Sequence, residues 1–223
     1  MGSRVRPRLA HLAADAASVF DRVDRRLSVA SSFQATYLAG APPWDIGRPQ
    51  GIFVHLVDAG AVRGRVIDLG CGTGENALYA SAHGLDVMGV DLAPEAIRQA
   101  RAKAQERGAA VDFRVADVLE LNGYGGTFDA AIDSGMFHTL RETDRPRYAS
   151  SVHGALRPGG RLFIACFSEH EPGDWGPRRV TQAEIHETFR DGWTVDSIEA
   201  AVFDTTLAEA SKVSAWLASL TSR

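Results

Sequence analysis

The stretch that decides the fold runs from Val66 to Asn76 and reads Val-Ile-Asp-Leu-Gly-Cys-Gly-Thr-Gly-Glu-Asn. A short apolar run ends at Leu69, and glycines follow at positions 70, 72 and 74, a pattern typical of a buried strand that turns tightly into a helix. Glycines allow the backbone to approach a ligand closely, and the first turn of the helix offers unpaired N–H groups. This pattern predicts a strand, a binding loop and a helix.

Strand and helix patterns alternate on both sides of this loop. The 161–167 strand is almost continuously apolar, which is typical of a strand buried on both faces of a parallel sheet. The alternation predicts an α/β fold with a doubly wound sheet. Strands are predicted at 65–69, 86–91, 111–117, 128–134, 161–167, 193–203 and 214–220, and helices at 9–27, 51–59, 75–82, 94–107, 142–156 and 181–190.

Composition excludes several classes of protein. The chain has 223 residues, 45% hydrophobic and 23% charged, which excludes collagen-like, disordered and disulfide-scaffold proteins. Its two cysteines, Cys71 and Cys166, do not have the spacing of a zinc site, so we expect no metal and a reducing, cytoplasmic location. We interpret Cys71 as a small spacer in the loop and Cys166 as a core residue. No apolar run approaches the roughly 18 residues of a membrane span, and we recognise no secretory signal.

The charge is unevenly distributed along the chain. The net charge is −4, but residues 1–48 carry seven Arg and four Asp, which leaves the remainder strongly acidic. The basic arm could contact an anionic partner such as a nucleic acid. We favour a solvated face of the 9–27 helix that covers a substrate pocket.

The acidic residues around the loop indicate which kind of ligand it binds. Asp91 ends the next strand, 21 residues after Gly70, where a carboxylate can accept hydrogen bonds from both hydroxyls of a ribose. A dinucleotide site would need glycine at position 75, but Glu75 would place a negative charge beside a phosphate. Asp68 at the strand end also disfavours an anion. The ligand predicted is an adenosine compound with a cationic head, such as an ammonium and a sulfonium.

These residues resemble the motif series of class I S-adenosylmethionine-dependent methyltransferases. The resemblance covers about residues 44–220 and is carried by the 68–74 loop, Asp91, the 116–118 tripeptide and Asp129 with Asp133 and Ser134. It implies a mostly parallel, seven-stranded Rossmann-like sheet. It also implies a division into an N-terminal helical cover, residues 1–43, and an S-adenosylmethionine-binding domain, residues 44–223.

A finer resemblance is carried by Pro43–Gln50 and Ile132–His138. These segments are similar to the thiopurine, halide and tellurite-resistance methyltransferase branch, and most closely to actinobacterial heterocyclic toxin methyltransferases. In this branch the tryptophan of the Pro-Trp-Asp segment lies over the cofactor, which implies the same for Trp44, with Gln50 nearby.

The resemblance also implies roles for individual residues. Asp91 would hold the ribose hydroxyls, Leu92 would lie against the adenine, and Asp117 and the Val118 N–H would bind the adenine edge. The full cofactor set expected is Trp44, Asp68, Gly70, Cys71, Gly72, Gly74, Asn76, Asp91, Leu92, Asp117, Val118, Asp133 and Ser134.

Aromatic side chains are concentrated in the segments expected to cover the site, where a planar substrate would stack. For Phe33 and Phe167 core packing is an equally good interpretation, and Trp193 and Trp216 are expected to pack in the core.

Methyl transfer is an in-line displacement that needs a base only for weakly acidic acceptors. His138, four residues after Ser134, is the predicted base, although a substrate-orienting or packing role remains open, and Asp133 is a weaker candidate. The substrate set expected is Phe33, Tyr37, Trp44, Phe137, His138, Phe167 and Trp175.

The sequence therefore predicts an S-adenosylmethionine-dependent methyltransferase that acts on an N, O or S atom of a small aromatic or heterocyclic toxin, xenobiotic or secondary metabolite. We expect a monomer or homodimer without a membrane partner. A thiol, halide or metalloid methyltransferase is the alternative. A nucleic-acid methyltransferase is disfavoured because residues 133–136 lack the Asn/Asp-Pro-Pro-aromatic pattern and the body of the protein is acidic. A cofactor-binding domain without catalysis is a third possibility.

Overall fold

A seven-stranded sheet forms the centre of the protein. The computed structural model describes residues 31–223, so the helix predicted at 9–27 lies outside the described residues. The strands are β1 (Arg65–Leu69), β2 (Asp86–Asp91), β3 (Val111–Val115), β4 (Phe128–Ser134), β5 (Leu156–Phe167), β6 (Trp193–Asp204) and β7 (Lys212–Ser222). Their order is β3-β2-β1-β4-β5-β7-β6, and only β7 runs antiparallel to its neighbours. The predicted mostly parallel, doubly wound α/β sheet is confirmed.

Six α-helices accompany the sheet in the described part of the chain, two before β1 and four between strands. They are α1 (31–39), α2 (Gly51–Asp58), α3 (Glu75–Ala82), α4 (Pro94–Arg107), α5 (Arg145–Ala155) and α6 (Gln182–Thr188). Pro94 opens α4, and Gly108 ends it in a left-handed conformation with φ of +61°. Thr181 and Glu184 form both hydrogen bonds of a capping box at the start of α6.

Side chains of the central strands alternate between two hydrophobic clusters, one on each face of the sheet. In β1, Ile67 and Leu69 belong to the cluster that includes α5 and α6, whereas Val66 belongs to the cluster that includes α2, α3 and α4. Because side chains alternate along a strand, Asp68 lies on the same face as Val66. A carboxyl group is thereby placed inside an apolar layer.

The structure departs from the predicted elements in two main places: α1 (31–39) was not predicted, and β5 starts earlier than expected. The sequence Pro158-Gly159-Gly160 was expected to separate a helix from a strand that begins at Arg161, yet β5 begins at Leu156. The register with β4 jumps from Phe128 opposite Leu156 to Ala130 opposite Arg161, so these residues form a bulge within the strand. Smaller differences are an earlier end of β3, shorter α5 and α6, and longer β6 and β7, which pair along their whole length.

The carboxyl ends of the parallel strands meet at one edge of the sheet. Both β5 and β6 run antiparallel to β7, so β6 also ends at this edge. The strand order reverses between β1 and β4, and crevices at such reversals bind ligands. In the range 31–223, no helix has the length and apolar character needed to cross a membrane.

Candidate active site

The glycine loop after β1 forms one wall of a cleft at this edge. Gly70, Gly72 and Gly74 have φ values of +66°, +54° and +86°, which L-residues with a side chain rarely adopt. A Cβ on Gly70 would lie 2.6 Å from Cγ of Met136, and one on Gly72 would lie 2.8 Å from the hydroxyl oxygen of Tyr37. Glycine is therefore required here by the backbone and by its neighbours.

Asp68 is a buried carboxyl group at the start of this loop. It is fully buried, and neither of its oxygens makes a hydrogen bond of ordinary geometry with a described residue, although the Ala77 N–H is close enough to oppose the rise of its pKa. Burial raises its pKa to about 8, with further contributions from the carboxylates of Asp133 and Asp91. An unpaired buried carboxyl is costly, and a bound cation would compensate for it. Asp68 therefore fits the ammonium group of the predicted cofactor.

Asp91 ends β2 and holds the loop in place. Its Oδ2 accepts a hydrogen bond from the Gly72 N–H at 2.9 Å, and its Oδ1 accepts one from the Ala93 N–H at 2.8 Å. Burial raises its pKa, and these backbone hydrogen bonds oppose the shift. Each carboxylate oxygen retains capacity for a second donor, as binding of the two ribose hydroxyls requires.

The residues predicted to bind adenine follow the neighbouring strands at the same edge. Leu92 directly follows β2 and is half-buried. Asp117 and Val118 lie just beyond β3 and are buried, and Oδ1 of Asp117 accepts a hydrogen bond from the Leu119 N–H at 2.9 Å. They lie at the same edge of the sheet as Asp91, and their role in adenine binding stays a prediction.

The segment around Trp44 forms the opposite wall of the cleft. Trp44 is 40% exposed, and its indole N–H donates to the Tyr37 hydroxyl at 3.1 Å. The Phe33 and Trp44 rings meet edge to face, with centroids 6.0 Å apart. The Thr73 hydroxyl donates to Oδ2 of Asp45 at 2.7 Å, which joins this segment to the glycine loop. The three aromatic residues predicted before the sheet therefore lie together, with Trp44 and Tyr37 lining the cleft.

Gln50 connects the same segment to β6. Its backbone N–H donates to Oδ1 of Asn76 at 2.9 Å, which places Asn76 in a structural role at the start of α3. Its side-chain amide donates to the Asp204 carbonyl at 2.8 Å and accepts from the Asp204 N–H at 2.9 Å. Arg48 and Lys212 both donate to the Asp204 carboxylate. These contacts hold the 44–50 segment across the cleft.

The charge of Glu75 is neutralised by protein cations. Arg107 donates to both of its carboxylate oxygens, at 2.8 and 2.9 Å, and Lys103 donates to Oε1 at 2.8 Å. The argument that Glu75 repels a phosphate is therefore weakened by the structure. The selection against an anion rests instead on Asp68.

Asp133 has a structural environment. It is fully buried, its Oδ2 accepts from the Tyr148 hydroxyl at 2.6 Å, and its Oδ1 accepts from the N–H groups of Met136 and Phe137. Burial raises its pKa to about 6. Both oxygens therefore organise the turn after β4, and we do not retain Asp133 as a catalytic residue. Ser134, the next residue, lines the cleft.

His138 lies beneath the cleft, and its geometry argues against the predicted base role. It is 6% exposed, and its Nδ1 accepts a hydrogen bond from the Phe167 N–H at 3.0 Å. A neutral ring that accepts at Nδ1 carries its proton on Nε2, so neither nitrogen is available to take another. Burial lowers the pKa of His138 to about 3, and the charges of Arg179 and Arg145 add to this effect.

The remaining predicted aromatic residues have different positions. Phe137 is fully buried and packs against Tyr148 in the core, so we do not retain it as a substrate contact. Phe167 packs edge to face on His138 and on Trp175, with centroids 4.8 and 5.6 Å apart. Arg179 covers both Phe167 and Trp175, 5.6 and 5.2 Å from their centroids.

Phe203 lines the cleft and was missed by sequence reasoning. It ends the cleft-facing part of β6, 6.2 Å from the His138 ring and 5.8 Å from Phe167. Its position as the last residue of a predicted strand could have indicated a place at the ligand edge. That conclusion needs the additional fact that β6 runs parallel to β5, which the sequence does not give.

Both cysteines and two tryptophans have the predicted surroundings. Cys71 is half-buried in the glycine loop, where it lines the cleft, and Cys166 is fully buried in the core; both are free thiols. Trp193 and Trp216 are buried and pack in the core, as predicted. Within residues 31–223, no three His, Cys, Asp or Glu side chains are grouped so that they could hold a metal ion.

Known methyltransferases are similar to this chain in sequence. Residues 66–160 match the family described as "Methyltransferase domain". The chain is 40% identical over 167 residues to the 2-heptyl-1-hydroxyquinolin-4(1H)-one methyltransferase of Mycobacteroides abscessus, which covers 74% of each protein. It is 28% identical over 173 residues to the probable thiol methyltransferase 2 of Arabidopsis thaliana, which covers 76% of each.

A solved structure is also similar. It comes from work on the conversion of a disulfide bond into a thioacetal group during echinomycin biosynthesis. It matches with a TM-score of 0.82 and 35% identity, over 87% of this chain and 93% of that chain. The predicted resemblance to methyltransferases of heterocycles and thiols is confirmed. The chain belongs to the S-adenosylmethionine-dependent methyltransferases, and S-adenosylmethionine is its cofactor.

Proposed function

We propose that this methyltransferase modifies an N, O or S atom of a small aromatic heterocycle, such as a toxin, xenobiotic or secondary metabolite. The observation that carries the proposal is the aromatic lining of the cleft. Trp44, Tyr37 and Phe203 all line it, together with Ser134 at the end of β4. Several aromatic side chains around one site favour an aromatic ligand that can stack on them.

The named relatives support the same class of substrate. The mycobacterial relative is a hydroxyquinolone methyltransferase, and it matches this chain over most of its length. The two free cysteines support a reducing, cytoplasmic location. We retain the 1–43 cover and the 44–223 domain as part of the proposal, since Trp44 begins the segment that crosses the cleft.

The chain's own residues would bind and align the reactants. When bound, S-adenosylmethionine supplies a methyl group on a sulfonium, which the acceptor atom displaces in line. Asp68 would bind the ammonium group and Asp91 the ribose, which together fix the position of the cofactor. Trp44 and Tyr37 would exclude water from the transfer point, so that the sulfonium reacts with the acceptor and not with solvent.

A thiol, halide or metalloid acceptor is the second candidate, because the chain also matches a probable thiol methyltransferase. One assay with tritiated S-adenosylmethionine ranks the candidates. Its acceptors are 2-heptyl-1-hydroxyquinolin-4(1H)-one, a thiopurine, iodide and duplex DNA. We expect the largest kcat/KM for the hydroxyquinolone. A preference for iodide or DNA would refute the proposal, and no product with any acceptor would favour a non-catalytic cofactor-binding domain.

Trp44→Ala tests the contribution of the aromatic lining in this assay. Loss of one face of an aromatic site should raise KM for the heterocycle about 10-fold, from about 1–1.5 kcal/mol of stacking, and should leave iodide methylation less affected. Leu38→Ala is the matched surface control, because Leu38 is 65% exposed on α1 and does not line the cleft.

A further inference from the structure

His138 is held in one orientation by its surroundings. The Phe167 N–H fixes its Nδ1 at 3.0 Å, and the rings of Phe167 and Phe203 pack against it at 4.8 and 6.2 Å. Gly135 lies on its other side, because a Cβ there would be 3.3 Å from Nε2 and 3.2 Å from the Phe203 ring. Nε2 therefore lies beside Gly135 and close to the Phe203 ring, and Phe203 lines the cleft together with Ser134, the residue before Gly135.

The charged groups around His138 oppose protonation of its ring. The two that influence it are the guanidinium groups of Arg179, in the loop after β5, and Arg145, on α5. Within the described residues, no carboxylate is hydrogen-bonded to the ring, and its Nε2 has no protein partner. A histidine that accepts a proton during catalysis is usually paired with an acidic group. The neighbours of His138 are instead cations and aromatic rings.

We propose that His138 is a neutral hydrogen-bond donor that holds an oxyanion or carbonyl oxygen of the substrate through Nε2–H, and that the enzyme takes acceptors that ionise in solution. The proposal rests on the proposed function, because it concerns the aromatic acceptor. The acceptor proton leaves to bulk water before the transfer. His138 gains and loses no proton, and its role is to bind the resulting anion and orient its lone pair towards the methyl group.

This role restricts the chemical class of substrate. An N-hydroxyl, an acidic phenol or an aromatic thiol ionises near neutral pH without a base. An aliphatic alcohol or an unactivated phenol stays neutral and would need a base, and the two predicted candidates, His138 and Asp133, are occupied by other hydrogen bonds among the described residues. The expected substrate is therefore an acidic heterocycle whose charge is delocalised over the ring and shared with a neighbouring oxygen.

Binding of 4-nitrophenol in the presence of S-adenosylhomocysteine tests the proposal without turnover. The absorbance of this probe reports its ionisation, so the pKa of the bound phenol can be read directly. The wild-type protein should lower it by about 1–2 pH units, since a hydrogen bond to a charged acceptor is worth about 10- to 100-fold in binding. His138→Gln, a neutral donor of similar reach that cannot act as a base, should keep most of this effect. His138→Ala should lose it.

The outcomes separate the two proposals. Both variants should bind S-adenosylhomocysteine within about twofold of wild type, which shows that they are folded. An unshifted pKa of the bound phenol in wild type, or an equal loss of phenolate binding in the Gln and Ala variants, would overturn the donor role. If neither 4-nitrophenol nor the hydroxyquinolone binds to the wild-type protein with S-adenosylhomocysteine, the proposed aromatic substrate itself is refuted.

Discussion

Replacing Asp68 with asparagine should stabilise the cofactor-free protein and weaken cofactor binding at the same time. Burial raises the pKa of this fully buried carboxyl to about 8, from an ordinary value of 3.8. The unfolded chain ionises above about pH 4, whereas the folded protein keeps the carboxyl protonated until about pH 8. Stability is therefore lost as the pH rises from 4 to 8, by up to about 5 kcal/mol at 1.36 kcal/mol per pH unit. Asparagine has the same shape and removes this loss.

The same substitution should remove a partner of the cofactor. An ammonium group beside Asp68 favours the ionised carboxylate, so binding at pH 7 should release about one proton per cofactor. Affinity should then rise with pH, by at most tenfold per unit, and level off above about pH 8. Asparagine carries no charge and should weaken binding by about 10- to 100-fold, the cost of a lost hydrogen bond between charged groups.

Two measurements check this prediction. Calorimetry with S-adenosylhomocysteine in two buffers of different ionisation enthalpy counts the protons released, and urea unfolding at pH 5 and pH 8 measures stability. Asp112→Asn is the matched control, because that carboxylate is half-exposed, pairs with Arg114 and lies on β3 away from the cleft. The opposite outcome would be an Asp68→Asn variant that is less stable than wild type at pH 8 and that binds S-adenosylhomocysteine normally, with the same proton release. That result would show that Asp68 is only a core residue.

Two further predictions concern the groups around the loop. Asp91→Ala should weaken S-adenosylmethionine binding by about 1–3 kcal/mol in calorimetry, because charge-assisted hydrogen bonds to the ribose are lost; unchanged affinity would contradict the ribose role. Burial alone would raise the pKa of Glu75, but hydrogen bonds from Arg107 and Lys103 outweigh it and hold the pKa below its ordinary value. Glu75→Gln should therefore cost about 1–2 kcal/mol at pH 7 in urea unfolding, and the difference should shrink as the pH falls below 4.5 and through the lowered pKa of Glu75. A difference that stays the same on acidification would exclude an ionic origin.

The glycine loop and the position of Asp91 were predictable because their determinants are local. Glycine at 70, 72 and 74 marks left-handed backbone, and an acidic residue at a strand end marks the sheet edge, whatever the distant parts of the chain do. The function of His138 was not predictable in the same way. Its proton position depends on the Phe167 N–H, 29 residues away, and its ionisation depends on Arg145 and Arg179, which only the fold brings near.

Two other features required the topology of the sheet. Phe203 reaches the cleft because β7 inserts antiparallel between β5 and β6, which turns the end of β6 to the ligand edge. The position of β7 between β5 and β6 cannot be derived from the sequences of these strands alone. The bulge at 156–161 was missed because Pro-Gly-Gly commonly ends an element, and β4 retains pairing on both sides of the interruption.

The acidic residues near the glycine loop differ in how far the protein itself satisfies them. Near the loop, Glu75 is neutralised by Arg107 and Lys103, and Asp133 is occupied by Tyr148 and backbone N–H groups. Asp91 already accepts from two backbone N–H groups and keeps the loop in shape. Of these four acids, only Asp68 has no side-chain oxygen in a hydrogen bond of ordinary geometry in the described structure, although the Ala77 N–H lowers its pKa slightly. The ionised form of this carboxyl is therefore costly in the empty protein, and a positively charged ligand group would compensate for it.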